Sequence, residues 1–500
     1  MAHSSPILVE LLEPRTLLAV AFDRVMTLGF PGESENVVAV GTDSADNFYI
    51  AGQFRGTVDF DPGPGTKLVT AADDLDVFVA KYSAAGALVW VRRFGGKHDD
   101  HLAGMAVSPS GQVALAGTFS RELDLNPAAG AGAIHMVRSN GDTDVYVVKL
   151  DAAGKFVWGG SIGGRHGDSV AGVAITPAGG VYLGGLYLLR ADLDPGAPTL
   201  VVNSTDTAGV YLLKIGASGD LLWHRELNGD PDKSAFVRIA SLTVGPGGDL
   251  YATGTFARRI DFDPGAGRAF KRADGLDAYV LRLSGAGQFT WVDTFGAGGS
   301  VRPVRIKTDS AGNIFLAGQF TDEPDFNPSP EVLILSAVSG GQGTFVGDIF
   351  LSKFSSSGKL RFADQIGGPD AALQLGDLFV DSAGYAYLAG AYNDLVDFDP
   401  GPGLAILTNG SNDSTSLQIN TIDGANAFLA KIGPKGGFKS VTRIGNDDGL
   451  SIATAIAVDS AGAIHAAGLF TKQVDFDPGA GTALRLTDDE GDIFVLSLSQ

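Results

Sequence analysis

Apolar and polar residues alternate along this chain in short runs, separated by Gly, Asp, Ser and Pro. A period of two with turn residues at close intervals predicts short antiparallel strands. The stretch 102–164 shows the pattern clearly. Leu102–Val107 reads as a strand and Ser108-Pro-Ser-Gly111 as a turn, with Gln112–Phe119 as the second strand. A long connection carrying Asp124 and Pro127 follows. Asp144–Leu150 is the third strand, Asp151-Ala-Ala-Gly154 a turn, and Lys155–Ile162 the fourth, ended by Gly163 and Gly164. Asp or Ser opening and Gly closing suits a tight turn, because the side-chain oxygen bonds the backbone and Gly takes φ > 0.

The same four strands recur. One phrase marks each copy: Gly52, Phe54, Asp59, Phe60, Asp61 and Pro62 in the first, with later copies opening at Gly117, Gly185, Gly254, Gly318, Gly390 and Gly468. Their Asp residues are Asp124, Asp192, Asp261, Asp325, Asp397 and Asp475, seven residues after the Gly in every copy. The third strand carries an aromatic at one register, from Phe78 and Tyr146 to Phe494, and Trp90, Trp158, Trp223 and Trp291 share one place in the fourth. Self-similarity at a near-fixed period identifies a repeat architecture, and four-stranded units repeated radially make a β-propeller. The last copy stops at Gln500, after its third strand. Phe22–Leu28 followed by Gly29 mirrors Phe289–Phe295 followed by Gly296. The expected fold is therefore all-β: a seven-bladed β-propeller of four-stranded antiparallel blades, the last blade closed by the N-terminal strand. Residues 20–500 form the propeller and 1–19 a separate N-terminal segment.

Composition narrows the function. With 36 Lys+Arg against 57 Asp+Glu, the net charge is -21, which disfavours nucleic acid and anionic lipid as partners. The absence of Cys excludes disulfides, Cys-based zinc sites and a thiol nucleophile. No apolar run approaches the roughly 20 residues that cross a bilayer as a helix, and the N-terminus lacks the basic start of a secretory signal.

Gly52-Gln-Phe54 with Asp59-Phe-Asp-Pro62, Asp76-Val-Phe-Val-Ala-Lys81, Gly86-Ala-Leu-Val-Trp90 and Phe94-Gly-Gly96 resemble the bacterial SBBP-type β-propeller repeat over residues 20–500. That resemblance implies a propeller, in exported or cell-surface proteins, with no single shared activity. Leu12-Glu-Pro-Arg-Thr-Leu-Leu18 is similar to a short sorting motif of predicted exported bacterial proteins. The Gly-x3-Trp element also resembles the tryptophan repeat of quinoprotein propellers, but their paired cysteines are missing.

Among candidate chemical groups, Asp59, Asp61 and Asp76 are expected to share one rim, as are Asp261, Asp263 and Asp277, and Asp475, Asp477 and Asp492. Convergent oxygens suit Ca²⁺; the alternative is Asp side chains that bond local amides and shape turns. His98, His101 and His166 lie in blade-to-blade links; two His spaced three apart could bind a transition metal, and the alternative, favoured here, is exposed polar loop residues, while His224 and His465 are expected to pack within strands. Lys81, Lys149, Lys214, Arg282, Lys353 and Lys431 share a register expected to form structural ion pairs. The connections 328–347 and 402–426 are long and polar. No P-loop, Gly-x-Ser-x-Gly or His-Glu-x-x-His is present. The expected function is a monomeric, non-catalytic, exported or cell-surface binding or scaffold module for protein or glycan, with no required cofactor. The alternative is a propeller-type enzyme, a glycan lyase or hydrolase, on the loop face.

Overall fold

The computed structural model describes residues 20–29, 35–126, 134–196, 199–229, 235–338, 347–369, 371–409, 425–446, 449–487 and 491–500. These residues form strands and turns and no helix. The pairings group the long strands into four-stranded antiparallel units. Unit 1 contains Glu35–Thr42, Phe48–Phe54, Asp76–Tyr82 and Leu88–Gly96. The final unit contains Leu450–Val458, Ile464–Thr471 and Asp492–Ser499, and its fourth strand is Ala21–Leu28, which pairs Ala21 with Ser499 and Leu28 with Ile493. The N-terminal strand thus covers an edge that would otherwise expose unpaired backbone.

The first strand of each unit lies against the first strand of the next, and that of the final unit lies against Glu35–Thr42 of unit 1. A second set of links runs between the fourth strand of one unit and a tight turn of the following one. Indole Nε1 of Trp90, Trp158, Trp223 and Trp291 donates to the carbonyls of Ala152, Ala217, Gly285 and Ser356, at 3.2, 3.0, 3.3 and 3.3 Å. Arg24, at this register in the N-terminal strand, donates from Nη2 to Ala84 of unit 1 at 3.0 Å. Aromatic side chains that bring both area and a donor suit such junctions.

The repeated Gly has a steric explanation. Every first strand carries a bulge, at Val37/Ala39 in unit 1 and at corresponding places through Ala453/Ala455. The carbonyl just before the bulge leans over the Gly of the second strand. A Cβ on Gly52, Gly117, Gly185, Gly254, Gly318, Gly390 or Gly468 would lie 1.8 to 2.2 Å from that oxygen. A bulge re-aims the backbone, and only Gly leaves room for it.

Four residues after each such Gly the backbone is left-handed: Gly56, Arg121, Leu189, Arg258, Asp322, Asp394 and Lys472 all have φ between 57 and 64°. Six of the seven pay a steric penalty of about 1 kcal/mol or more for this conformation. Arg258→Gly is accordingly expected to raise stability by about 0.5–1 kcal/mol after the loss in chain entropy is deducted. The urea midpoint measures it, with Gly56→Arg moving the other way.

The structure lengthens some elements. The second strand of unit 2 runs on through the expected connection to Asp124, and its third strand begins at Met136. In unit 1 the corresponding stretch is a separate small hairpin, Thr57–Asp59 with Leu68–Thr70.

Candidate binding surface

The Asp phrase builds a compact hairpin. Oδ1 of Asp59 accepts the amides of Asp61 and Lys67 at 3.0 and 2.7 Å, and Oδ1 of Asp61 accepts the Gly63 amide at 2.9 Å. The first Asp takes two amides in every copy: Asp124, Asp192, Asp261, Asp325, Asp397 and Asp475 repeat the arrangement. The apolar residue between the two polar ones is fully buried and in five units packs at a tilt against the third-strand aromatic, as Phe60 does on Phe78 with ring centroids 4.9 Å apart. The backbone of the motif also grips the preceding unit: Gly95 pairs with Asp124, Gly163 with Asp192, Asn228 with Asp261 and Gly367 with Asp397. The motif therefore turns the chain, anchors the hairpin and clamps one unit to the next.

The third carboxylate of each expected trio stands elsewhere. Asp76 opens the third strand fully buried, where Oδ2 accepts the Ala72 amide and pairs with Arg93. Asp277 and Asp492 hold the same register opposite Phe256 and Phe470. Asp76 sits at the junction with unit 2, where a Cβ on Gly95 would strike its carboxylate at 2.0 Å. Unit 3 has Gly209 in place of the acid, and the ring of Tyr187 fills the space, with its hydroxyl donating to Glu226 at 2.9 Å. Among the described residues no group of three His, Asp or Glu side chains forms a metal-holding cluster. With each first Asp already shared between two amides, withdrawing calcium with EDTA is expected to leave the unfolding temperature unchanged. A calcium-dependent rise would assign ions to Asp59/Asp61, Asp261/Asp263 and Asp475/Asp477, since binding to the folded state alone stabilises it.

The junction carboxylates are electrostatically costly. Burial pushes the Asp100 carboxyl up to about 8, aided by nearby Asp76 and Asp99, although the Gly96 amide bonds its Oδ2 at 2.8 Å. Burial likewise raises Asp144 to about 6 and moves Asp76 and Asp168 upward.

The expected histidine and lysine groups sort by structure. His101 lies in a strand rather than a loop, and its Nδ1 meets Gln53 Oε1 at 3.2 Å. His98 and His166 lie between strands, and His224 lies within one. The Lys register makes ion pairs in three units whose first turn carries an acid, Lys81–Asp43 at 3.0 Å, Arg282–Asp249 at 2.6 Å and Lys353–Asp309 at 3.4 Å, whereas Lys431, above a turn opened by Asp381, donates to Gln500 Oε1. In units 2 and 3 those turns open with Ser108 and Thr176, and Lys149 and Lys214 instead donate to Gly179 and Gly285 carbonyls.

In the final unit the same register holds Ser497, with His465 and Asp459 beside it. Ser497 Oγ and His465 Nδ1 are 3.0 Å apart, and His465 Nε2 and Asp459 Oδ2 3.3 Å apart. This Ser–His–Asp chain is a repeat variant of Lys81, Tyr49 and Asp43. Ser497 and His465 are 2% exposed, so the hydroxyl cannot reach a substrate; burial lowers the imidazole's basicity. A second unrepeated group links the first strands of three units: Arg305 Nε donates to Asp377 Oδ1 at 2.8 Å, and the Ile456 amide donates to Oδ2 at 3.2 Å. Both Asp377 oxygens are thereby occupied.

The hairpins present an apolar rim that sequence reading missed. The residue paired with each motif Asp is Leu68, Met136, Val201, Phe270, Ile334, Ile406 or Leu484. Each is between 40% and 54% exposed. The signal was available as a large apolar residue nine to twelve positions after the Asp, but its outward direction depends on the hairpin register. Of the long polar connections, residues 339–346 and 410–424 lie outside the described residues.

No protein-family model matches the chain. It is 21% identical over 460 residues to "Uncharacterized WD repeat-containing protein L264" of Acanthamoeba polyphaga mimivirus, covering 78% of this chain and 32% of that protein. It is 26% identical over 446 residues to "Regulatory protein FlaEY" of Caulobacter vibrioides, covering 84% and 42%. The chain thus spans less than half the length of either relative. Similar solved structures include the WD40 repeats of RRP9, with a TM-score of 0.42, 11% identity and coverage of 96% and 100% of the two chains. Another is lignostilbene dioxygenase of Pseudomonas brassicacearum, at 0.38, 11%, 94% and 92%.

Proposed function

We propose that the chain is a seven-bladed β-propeller closed by its N-terminal strand and that it serves as a non-catalytic module binding another protein at the hairpin rim. The head-to-tail contacts of the first strands and the Arg24–Ala84 bond support the ring. One observation carries the binding reading: the recurrence of an exposed large apolar side chain opposite every motif Asp. Single exposed apolar residues are ordinary, whereas a rim of them marks an interaction surface. Likeness to a protein named for its WD repeats agrees with a scaffold role. The enzyme alternative loses support because the two unrepeated constellations are buried or fully paired. Export to the cell surface rests on the resemblance to the SBBP-type repeat and on the segment 12–18, and is tested by fractionating cells.

The test of binding replaces Leu404, Ile406, Leu484 and Leu486, exposed on two hairpins, with Thr, and compares captured proteins by quantitative mass spectrometry. Circular dichroism verifies that the variant folds. Loss of a specifically enriched partner supports the rim. Identical partners for both proteins, or retention on a glycan array as the sole binding, overturns it.

A further inference from the structure

We propose that the junction between units 2 and 3 is a carboxylate-binding subsite that takes an acidic, apolar-flanked peptide segment of a protein partner. A groove of about 350 Å³ opens there, lined by Asn140, Arg165, His166, Leu189, Arg190, Asp192 and Val201. Its placement follows from the clamp between units. Gly164 pairs with Ala191, and Arg165 and Arg190, the residues next to that pair, both line the groove. Both are exposed, and neither side chain hydrogen-bonds or ion-pairs with any described residue.

Two like charges lining one groove repel each other. The preceding junction shows the neutral solution. Gly96 pairs with Leu123 there, and the neighbouring Glu122 bonds Arg138 at 2.8 Å. Asp99 at that junction takes Arg55 at 2.8 Å. At the junction of units 2 and 3 the residue matching Asp99 is Gly167, and Arg190 replaces Glu122. Both acids are gone, as are the Arg138 and Arg55 they pair with, whose counterparts are Asn203 and Ser120, and Arg165 and Arg190 are left without a paired carboxylate among the described residues of a chain with net charge -21.

A carboxylate between the two guanidiniums removes the repulsion and accepts the forked hydrogen bonds to which Arg geometry is suited. Asp192 lines the same groove but forms no ion pair with either Arg; its Oδ1 holds the amides of Asp194 and Leu200 at 3.1 and 2.7 Å. Leu189 and Val201, both half-exposed, give the groove an apolar wall. That combination matches a peptide with alternating acidic and apolar side chains better than a hydroxyl-rich glycan.

The assignment rests on the protein-binding reading above for the class of partner, while the anion site stands on the Arg pair. The test measures fluorescence polarisation of a labelled heptapeptide alternating Glu and Leu, with wild type and with the Arg165→Ala/Arg190→Ala variant. The expected result is binding weakened at least tenfold in the variant, weakened by added salt, and displaced by sodium glutarate. Each single substitution is also expected to raise the urea midpoint, because it removes the repulsion. Peptide binding indifferent to both substitutions overturns the proposal, as does binding of a uronate oligosaccharide in place of the peptide. Peptide binding at this junction with no partner lost from the Leu404/Ile406 rim variant separates this site from the rim, so the two readings fail independently.

Discussion

Gly254→Ala is expected to destabilise the protein by about 3 kcal/mol, at the upper end of the cost of overpacking a well-packed interior. The added methyl would stand 1.8 Å from the Arg238 carbonyl oxygen and 2.8 Å from its carbon. Neither is the end of a flexible side chain. The oxygen belongs to a first strand bulged between Ile239 and Ser241, and that strand is packed between its neighbours in units 3 and 5. Relief requires moving a strand that contacts two other units. The control is Gly247→Ala, at an exposed turn where nothing lies within 4 Å of the new methyl, and its expected effect stays within about 0.5 kcal/mol. Urea unfolding of the two variants side by side checks the claim. Equal midpoints would mean that the bulge carbonyl does not constrain this position.

The second large effect is electrostatic. Asp100 is fully buried, and burial first, then Asp76 and Asp99, push its carboxyl from 3.8 up to about 8. Below about pH 4 the group is neutral in both folded and unfolded chains and contributes no pH dependence. Between about 4 and 8 the folded protein retains a proton that the unfolded chain releases, so stability falls as pH rises. Above about 8 the full penalty of a buried ionised carboxylate is present, on the order of 5 kcal/mol at about 1.4 kcal/mol for each tenfold change in proton affinity. Asp100→Asn keeps an oxygen for the Gly96 amide and removes the ionisation. The variant is expected to unfold at a higher urea concentration than wild type at pH 8.5, with the gap closing toward pH 4. A gap that is constant with pH would show that the side chain acts by shape rather than charge. Asp144, raised to about 6, should give a smaller version of the same curve, with its slope confined to the lower half of that pH range.

These carboxylates also show why the trios written in sequence do not form one site. Asp59 and Asp61 lie two residues apart on a hairpin and bond nearby amides, so their arrangement is local and their turn chemistry was legible. Asp76 follows fifteen residues later, and its position depends on the docking of unit 1 against unit 2. There it meets Gly95, Arg93 and the region of Asp100. The left-handed position was hidden for a different reason. Six of its seven occupants are Arg, Leu, Asp or Lys, which carry no local sign of positive φ, whereas the turns closed by Gly86, Gly154 or Gly384 announce theirs.

His465 illustrates the same division. Alone in the sequence it reads as a packed histidine. The register that sets it beside Ser497 and Asp459 also identifies the trio as the counterpart of Tyr49, Lys81 and Asp43. A catalytic appearance thereby resolves into a structural substitution.

The sequence by itself determined the strand pattern, the tight turns, the repeat phase and the pairing of the N-terminal strand with the last copy, because these follow from period-two alternation and from short-range bonds between a side chain and its own backbone. Only the tertiary structure decided which groups are buried at the junctions, which way Leu68, Phe270 or Ile406 points, and that Arg165 and Arg190 line one groove. Those outcomes arise from register and docking between segments far apart in the chain, and a one-residue slip in either would reverse them.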